Sequence, residues 1–362
     1  MRKKAKSTFG TVEKRGHNVY RIKWTGEDGV RHSKTVKGPR MVADRELAAI
    51  RLKIEPDGSA PTYSDYWRLS VRPSMEGLAE STIHGYESTW RRLSCEIGSD
   101  TLDSTDWRRV QEVLDTFPSP SSQKKAYVLW RKILNQALRD RLVTSNPVDR
   151  YIRLKPVVKR KKTLLLADQV LPWMEAIEGV KYEPLLLTMI GGGLRTEEAN
   201  ALLWEDISEW EHRDSTYAVV SITKAVVVVG GRVIARNMPK NESSRRDVVI
   251  GNPFARRLLE LADGRSGPLC PSGSGGPTSP ITVTHNWKRW CKRNGIEYVS
   301  QKDLRSSYAT NMGEAMAPDS VVSRAMGHAG TTTKERNYQQ STMRGLALIA
   351  DMYEYLIFDD CP

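Results

Sequence analysis

Residues 302–338 read KDLRSSYATNMGEAMAPDSVVSRAMGHAGTTTKERNY, and four side chains in this stretch stand at informative spacings: Lys302, Arg305, His328 and Tyr338. Lys302 stands three residues before Arg305, and His328 stands ten residues before Tyr338. Arg305 and Tyr338 are 33 residues apart. Each pair alone is common in proteins, so the interpretation depends on the order and spacing of the whole set.

A second arginine motif precedes this stretch. Residues 193–198 read GLRTEE, and Arg195 in this motif lies 110 residues before Arg305. Glycine before a helix lets the backbone bend, which places Arg195 at the mouth of the helix. Thr196 is expected to cap that helix, and Glu198 is expected to orient the guanidinium of Arg195.

These motifs, in this order, resemble those of the tyrosine recombinase family, which includes phage integrases and chromosome-dimer resolvases. The family pattern is Gly-Leu-Arg-x-x-Glu, then His or Lys-x-x-Arg, then Leu-Gly-His, and finally a tyrosine. Lys302 stands where many members have histidine, and Met326 replaces the leucine at similar volume. The resemblance covers roughly residues 163–340.

The resemblance also implies an active-site lysine in a β-hairpin between the two arginines, commonly followed by a Ser-Arg-Arg run. Residues 239–246 read PKNESSRR between strand-like runs, so Lys240 is the match. Lys224 is the alternative, but it lies in an apolar strand and lacks the run that follows.

The matched residues suit attack on a DNA phosphodiester. Arg195 and Arg305 can hold both non-bridging oxygens with forked donors, and arginines stay protonated throughout. His328 can donate a further hydrogen bond to the same oxygens. Such donors stabilise the negative charge that builds up when the phosphorus is attacked.

Tyr338 is the expected nucleophile, with Tyr308 as its rival. A free tyrosine has a pKa of about 10, and clustered cations favour its phenolate. Lys302 or His328 is expected to accept its proton, and Lys240 is expected to protonate the leaving 5′-oxygen. The product would be a 3′-phosphotyrosine, whose covalent link preserves the energy of the phosphodiester. We therefore expect no cofactor and no metal.

The chain of 362 residues has a net charge of +13, from 56 basic and 43 acidic residues. This charge favours a polyanionic partner, through counterion release from phosphates. Residues 1–55 hold 15 Lys or Arg against 6 Asp or Glu, and a second basic cluster lies at 159–162. No apolar run has the roughly 18 residues of a membrane span, and no apolar segment follows the basic N-terminus. We expect a cytoplasmic, nucleoid-associated protein with no membrane partner.

Hydrophobic periodicity and two linkers, at 56–61 and 151–163, predict an α+β chain of three domains. Residues 1–55 predict a small β-sheet backed by one helix, residues 61–150 an all-helical domain, and residues 163–362 a mixed, mainly helical domain. By resemblance, these are an arm-type DNA-binding domain, a core-binding (SAM-like) domain and the catalytic tyrosine recombinase domain.

In the N-terminal domain, Tyr20, Ile22 and Trp24 alternate with Arg21 and Lys23. The alternation predicts an apolar face toward the helix and a basic face away from it. A basic face suits a DNA groove, although a solvated surface has the same pattern.

In the helical domain, two helices are predicted from apolar residues at helical spacing, and Asn146-Pro147 is expected to end the second. The residues of the first stripe are Ile83, Tyr86, Trp90, Leu93 and Ile97. Those of the second are Val128, Leu129, Ile133, Leu134, Ala137, Leu138 and Leu142.

The resemblance implies a phage or mobile-element integrase that acts as a homotetramer on double-stranded DNA attachment sites of core and arm type, through a Holliday junction. An excisionase and a DNA-bending host factor are further partners that it allows. A type IB topoisomerase-like enzyme and a catalytically silent DNA-binding repressor are the alternatives. The basic N-terminal domain argues against the first, and the complete set of six residues argues against the second. The apolar segment 346–357 can pack on its own domain or on a neighbouring protomer.

Overall fold

The computed structural model divides into two compact units, Met1–Lys159 and Arg160–Pro362. The residues it describes are 10–26, 29–40, 42–43, 46–47, 50, 61–140, 142–148, 151–158, 160–229, 231–237, 245–328 and 342–359. Within these ranges, no helix combines the length and the apolar character needed to cross a membrane. The described core residues of the first unit form one cluster in a sheet and another among helices. The division into three domains stays a prediction.

The first unit begins with an antiparallel sheet in the order β1-β2-β3. Its strands are β1 Gly10–Gly16, β2 Val19–Thr25 and β3 Arg31–Lys37. Ile22 and Val36 pack with Ala43 of the helical segment that follows, while Arg21 is exposed. Successive side chains of a strand point to opposite faces. The predicted apolar and basic faces are therefore confirmed.

The helices of the first unit have a core of their own. The α-helices that form this core are α1 Tyr63–Tyr66, α2 Glu80–Ile97, α3 Trp107–Asp115 and α4 Pro120–Arg139. Asp106 caps α3, because its carboxylate accepts a hydrogen bond from the Arg109 amide at 2.8 Å. The predicted stripe of α2 faces this core, where Leu93 and Ile97 are fully buried.

Helix α4 ends at Arg139 rather than at Asn146-Pro147, so the predicted end was wrong. The Leu142 amide donates to a carbonyl five residues earlier at 2.9 Å, which folds the chain back over the last turn. This turn lets Leu142 pack against the core without continuing the helix. Val128 and Leu138, predicted for the buried stripe, are 47% and 40% exposed.

The second unit combines helices with two small sheets. Its helices are α5 Ala167–Ala176, α6 Glu183–Gly192, α7 Thr196–Ala199, α8 Phe254–Ala262, α9 Pro280–Asn294, α10 Gln301–Glu314, α11 Asp319–Ala325 and α12 Met343–Asp359. Its strands are β4 Ile207–His212, β5 Ser215–Ile222, β6 Lys224–Val229, β7 Arg232–Asn237 and β8 Arg246–Ile250. The order β4-β5-β8 makes one antiparallel sheet, and β6 and β7 pair as a separate hairpin.

Helix α6 is the centre of the second core. All ten of its residues are buried, and apart from Glu183 and Thr188 none has a polar side chain, as expected for a helix inside a core. It packs against α8, α10 and β8. Because α10 carries Lys302 and Arg305, this packing fixes the helix on which two predicted site residues lie.

The segment that begins at Arg160 is held along α10. Arg160 donates a hydrogen bond to the buried carboxylate of Asp303. The Leu165 amide donates to the hydroxyl of Ser307 at 2.9 Å. The end of the predicted linker 151–163 is therefore anchored on the helix of the site.

Helix α12 packs on its own unit. Leu346, Tyr353 and Ile357 are at most 5% exposed in the core of that unit. The Tyr217 hydroxyl donates to Asp351 at 2.5 Å, which ties the helix to β5. Of the two arrangements that the sequence left open, this single chain adopts packing on its own domain.

Candidate active site

Gly193 ends α6 in a left-handed conformation and turns the chain into α7. Its φ is 63°, and a Cβ at this position would lie 2.4 Å from the ring of Tyr308, so glycine is required. The turn puts Arg195 at the N-cap of α7. Thr196 is the first helical residue, so its predicted capping role was wrong. Glu198 satisfies the first turn by accepting from the Arg195 amide at 2.9 Å.

Glu198 is a buried carboxylate that two arginines share. It is 1% exposed, and its oxygens accept from Arg195 Nη1 at 2.6 Å and from Arg246 Nη2 at 2.8 Å. Burial alone would raise the pKa of Glu198, but hydrogen bonds and charges from Arg246 and Arg195 outweigh it and lower the pKa to about 2. The carboxylate stays ionised at neutral pH and orients Arg195, as predicted.

Arg246 is the first residue of β8, and sequence reasoning did not identify it as a site residue. Its side chain is 8% exposed, and its Nε donates to the carbonyl of Ala325 at 2.6 Å. Gly327 has a φ of 70° and packs so closely that a Cβ would lie 2.6 Å from Arg246 Nη1. The available signal was the second arginine of the SSRR run, but its partner Glu198 lies 48 residues away.

Arg305 extends from α10 with its guanidinium fixed by main-chain carbonyls. Nη1 donates to Gly193 at 2.6 Å, and Nη2 donates to Met326 at 2.8 Å. Arg195 is fixed in the same way, because its Nη2 donates to the carbonyl of Gly327. Burial and then repulsion by Arg195 lower the pKa of Arg305 to about 10, so it remains protonated at neutral pH. Both guanidinium groups thus bind the loop that follows α11.

His328 lies on this loop beside Arg305. Its Nε2 is 3.0 Å from Arg305 Nη2, and its amide donates to the Ser323 carbonyl at 2.8 Å. Burial, then the charges of Arg305, Arg195 and Arg246, lower the pKa of the imidazole below its ordinary value, so the ring is neutral at pH 7. Because arginine only donates, Nε2 is the acceptor and the ring proton is on Nδ1.

Of the other predicted site residues, the structure describes Lys302 but not Lys240 or Tyr338. Lys302 is exposed on α10, one turn before Arg305. Lys240 and Tyr338 lie outside the described residues. Lys224, the alternative to Lys240, is half-buried at the start of β6. The described structure therefore brings together Arg195, Arg305 and His328 and sets Lys302 on the same helix as Arg305.

Tyr308, the rival nucleophile, is buried. It is 1% exposed and packs edge-to-face on Tyr353, with ring centroids 5.8 Å apart. Burial raises the pKa of its phenol. A hydroxyl that is enclosed and difficult to ionise cannot attack a DNA phosphate, which excludes Tyr308.

The arrangement is suited to an anion. Three guanidinium groups, of Arg195, Arg246 and Arg305, lie near the buried carboxylate of Glu198. The charge of Glu197 also acts on Arg305, so the described residues still leave an excess of positive charge at this point. Arg195 is 37% exposed, whereas Arg246 is nearly enclosed. Forked donors that are fixed and partly exposed match the oxygens of a phosphate.

Comparison with known proteins supports this chemistry. A profile described as the phage integrase family matches residues 163–344. Tyrosine recombinase XerC of Pelobacter propionicus is 24% identical over 288 residues, which cover 72% of this chain and 84% of that protein. A tyrosine recombinase XerC-like protein of Caldanaerobacter subterraneus subsp. tengcongensis is 25% identical over 185 residues, which cover 45% of this chain and 46% of that protein.

Solved structures share the fold. The integrase of transposon Tn1549 in complex with circular intermediate DNA matches with a TM-score of 0.64 and 17% identity, over 80% of this chain and 98% of that one. A lambda integrase dimer bound to a COC′ core site matches with a TM-score of 0.53 and 16% identity, over 95% of this chain and 99% of that one. A lambda integrase tetramer bound to a Holliday junction matches with a TM-score of 0.55 and 17% identity, over 92% of this chain and 98% of that one. The predicted fold class is confirmed.

Proposed function

The chain belongs to the phage integrase family, and on that premise we propose that it is the site-specific recombinase of a phage or an integrative mobile element. It cleaves DNA, holds the 3′ end as a phosphotyrosine and joins that end to a new 5′-hydroxyl. Strands are exchanged through a Holliday junction. The covalent link conserves the energy of the phosphodiester, so the exchange needs no ATP.

The observation that carries the proposal is the convergence of Arg195, Arg305 and His328 at one loop. Carbonyls and a buried carboxylate of the chain itself hold both guanidinium groups in place. Donors fixed in this way need no reorganisation as charge develops at the phosphorus. We assign both arginines to the non-bridging oxygens, with the Nδ1 proton of His328 as a further donor.

Tyr338 is the proposed nucleophile, because it follows His328 by ten residues and because Tyr308 is enclosed. Beside a bound phosphate, the charges of Arg195 and Arg305 would favour its phenolate. Lys302 or His328 is the proposed acceptor of its proton, and His328 would take the proton at Nε2, in place of the hydrogen bond from Arg305. Lys240 is the proposed general acid toward the leaving 5′-oxygen.

We further propose that four protomers assemble on two core-type attachment sites, with the N-terminal sheet on arm-type sites. The lambda integrase complexes, a dimer on a core site and a tetramer on a Holliday junction, support this assembly. An excisionase and a DNA-bending host factor complete the proposed partners. Because the substrate is DNA, the proposed location is the cytoplasm, at the nucleoid.

The topoisomerase-like and silent-repressor alternatives are not favoured. The similar proteins are named as recombinases and integrases. An intact, hydrogen-bonded pair of phosphate-binding arginines is also more than a repressor requires.

The test is a covalent adduct on a nicked suicide substrate that carries the core site. The wild-type chain should form the adduct, and Tyr338→Phe should bind the same DNA without forming it, because the phenyl ring has no nucleophilic oxygen. Gel electrophoresis under denaturing conditions measures the adduct, and a native gel measures binding.

Tyr355→Phe is the matched control, because Tyr355 is 68% exposed on α12 and has no role in the proposed chemistry. It should form the adduct at the wild-type rate. An adduct with Tyr338→Phe would show that another residue is the nucleophile. A wild-type chain that binds the site and never forms an adduct would favour the repressor.

A further inference from the structure

Arg246 is nearly enclosed and reaches two separate segments of the chain. Nη1 and Nη2 donate to the two oxygens of Glu198 at 3.1 and 2.8 Å. Nε donates to the carbonyl of Ala325, the last residue of α11, at 2.6 Å. One guanidinium therefore ties the first turn of α7 to the start of the loop that carries His328.

The same carboxylate holds Arg195. Glu198 accepts from the amide and from Nη1 of Arg195, and it has almost no exposure to water. The orientation of Arg195 thus depends on a carboxylate that is itself positioned by Arg246. The loop also packs closely on both guanidinium groups. A Cβ added to Gly327 would lie 2.6 Å from Arg246 and 3.0 Å from Arg195, so the position of the loop and the orientation of both arginines depend on each other.

We propose that Arg246 is a positioning residue for the recombination chemistry: it holds Glu198 and the His328 loop so that Arg195 and His328 keep their geometry. This rests on the proposed function. Arg246 would not itself contact the phosphate, because its donors are already directed at Glu198 and Ala325.

The proposal predicts a change in pH dependence. Among the described residues, the charged and titratable groups coupled to Glu198 are Arg195 on its own turn, Arg246 on β8, Arg305 on α10 and His328 on the loop. With Arg246 present, Glu198 is ionised at any pH well above 2. Without Arg246, fewer hydrogen bonds and positive charges offset the effect of burial, so the pKa of Glu198 rises. As the pH then falls through that raised pKa, Glu198 becomes protonated and Arg195 loses its anionic partner.

The experiment compares the full-length wild type with Arg246→Met, Arg246→Met combined with Glu198→Gln, Arg246→Lys and Arg245→Met. The rate of adduct formation is measured between pH 5 and 8. Arg246→Met should cleave on the order of 10²-fold more slowly at pH 7, as expected for a displaced catalytic group, with core-site affinity retained. The ratio of its cleavage rate to the wild-type rate should decrease as the pH falls from 7 toward 5. Adding Glu198→Gln should remove that extra pH dependence. Arg245→Met is the matched control, because it removes the exposed neighbouring charge, and its pH profile should parallel the wild type.

Thermal unfolding provides a readout that needs no catalysis. Arg246→Met should have a lower Tm than wild type at pH 7, and the difference should shrink toward pH 5, because protonation relieves a buried carboxylate that has lost a partner. Arg246→Lys keeps a cation at Glu198 but cannot reproduce the hydrogen bonds of the guanidinium to both Glu198 oxygens and to Ala325. This variant should be folded, slower than wild type and free of the extra pH dependence. If Arg246→Met matches Arg245→Met in rate, pH profile and Tm, the proposal is wrong. A wild-type chain without any adduct would contradict the proposed function, and the unfolding series would still decide whether Arg246 holds Glu198.

Discussion

The two arginines proposed to bind phosphate share one kind of partner and differ in another. Both donate to main-chain carbonyls, but Arg195 also donates to the carboxylate of Glu198. Burial lowers the pKa of Arg305 only to about 10, which keeps its charge at pH 7. A guanidinium held by carbonyls is positioned without having its charge neutralised. The remaining positive charge is therefore available to an incoming phosphate.

A test at the residue scale separates a proton donor from a phosphate clamp at Lys240. If Lys240 protonates the leaving 5′-oxygen, Lys240→Ala should slow cleavage of ordinary DNA by roughly 10²–10⁴-fold. Replacing the bridging 5′-oxygen by sulfur provides a thiolate leaving group, which departs without a proton because the pKa of a thiol is only about 8.5. Cleavage by the variant should then largely recover, as measured by single-turnover kinetics.

Arg195→Ala is the control for this substrate, because its proposed contacts are with non-bridging oxygens. It should be equally slow on both DNAs. Equal defects of Lys240→Ala on both substrates would indicate a clamp, or a proton donor elsewhere, with Lys224 and Lys302 as the next candidates.

At the scale of elements, α12 is part of the core of the second unit rather than a free tail. Its buried face contains Leu346, Ile349, Tyr353 and Ile357. Its opposite side presents Leu348 and Phe358, which are 54% and 45% exposed. Any contact with a neighbouring protomer would therefore involve the exposed side.

Deleting residues 345–362 should unfold the second unit. Each large buried apolar side chain contributes about 1.5–3 kcal/mol, and four of them approach the whole stability of a domain, about 5–15 kcal/mol. Circular dichroism should show lost helix, and limited proteolysis should show an exposed chain. Leu348→Asn is the matched variant on the exposed side, and it should stay folded.

Assembly is then measured with Leu348→Asn rather than with the deletion. Reduced tetramer formation on paired sites, with normal binding to a single site, would place a protomer interface on this side of α12. A deletion variant that is folded and stable would contradict the packing described for this helix.

At the scale of the molecule, the described residues of the first unit form two separate hydrophobic clusters. The cluster of Ile22, Val36 and Ala43 belongs to the N-terminal sheet, and the larger cluster belongs to α1–α4. A sheet with its own core and a basic exposed face can act on DNA independently of the catalytic unit. The proposed arm-type binding has this physical basis.

Removing residues 1–55 should leave cleavage at the core site measurable and abolish integration that requires arm sites. Within the full chain, Arg21→Ala should make arm-site binding less dependent on salt. The slope of log affinity against log salt concentration should fall by the amount expected for about one lost phosphate contact. Lys34→Ala is its control, because Lys34 is paired with Glu46 of the following segment. Loss of all core cleavage in a folded truncation would count against a separate arm-binding role.

The sequence by itself determined the family, the fold class and the identity of Arg195, Arg305 and His328 as candidates. Hydrophobic periodicity also located the N-terminal sheet and most helices, because these signals depend on neighbours within one or two turns. It placed the end of α4 too late, since the turn at Leu142 depends on a core that the local pattern does not contain.

Only the tertiary structure decided what holds the site together. Arg246 and Glu198 are 48 residues apart, and Arg195 and the Gly327 carbonyl are 132 apart. A main-chain carbonyl has no side-chain identity, so no residue pattern can mark it as the partner of an arginine. Motifs reveal which side chains are present, but the packing of α6, α10 and β8 determines which of them meet.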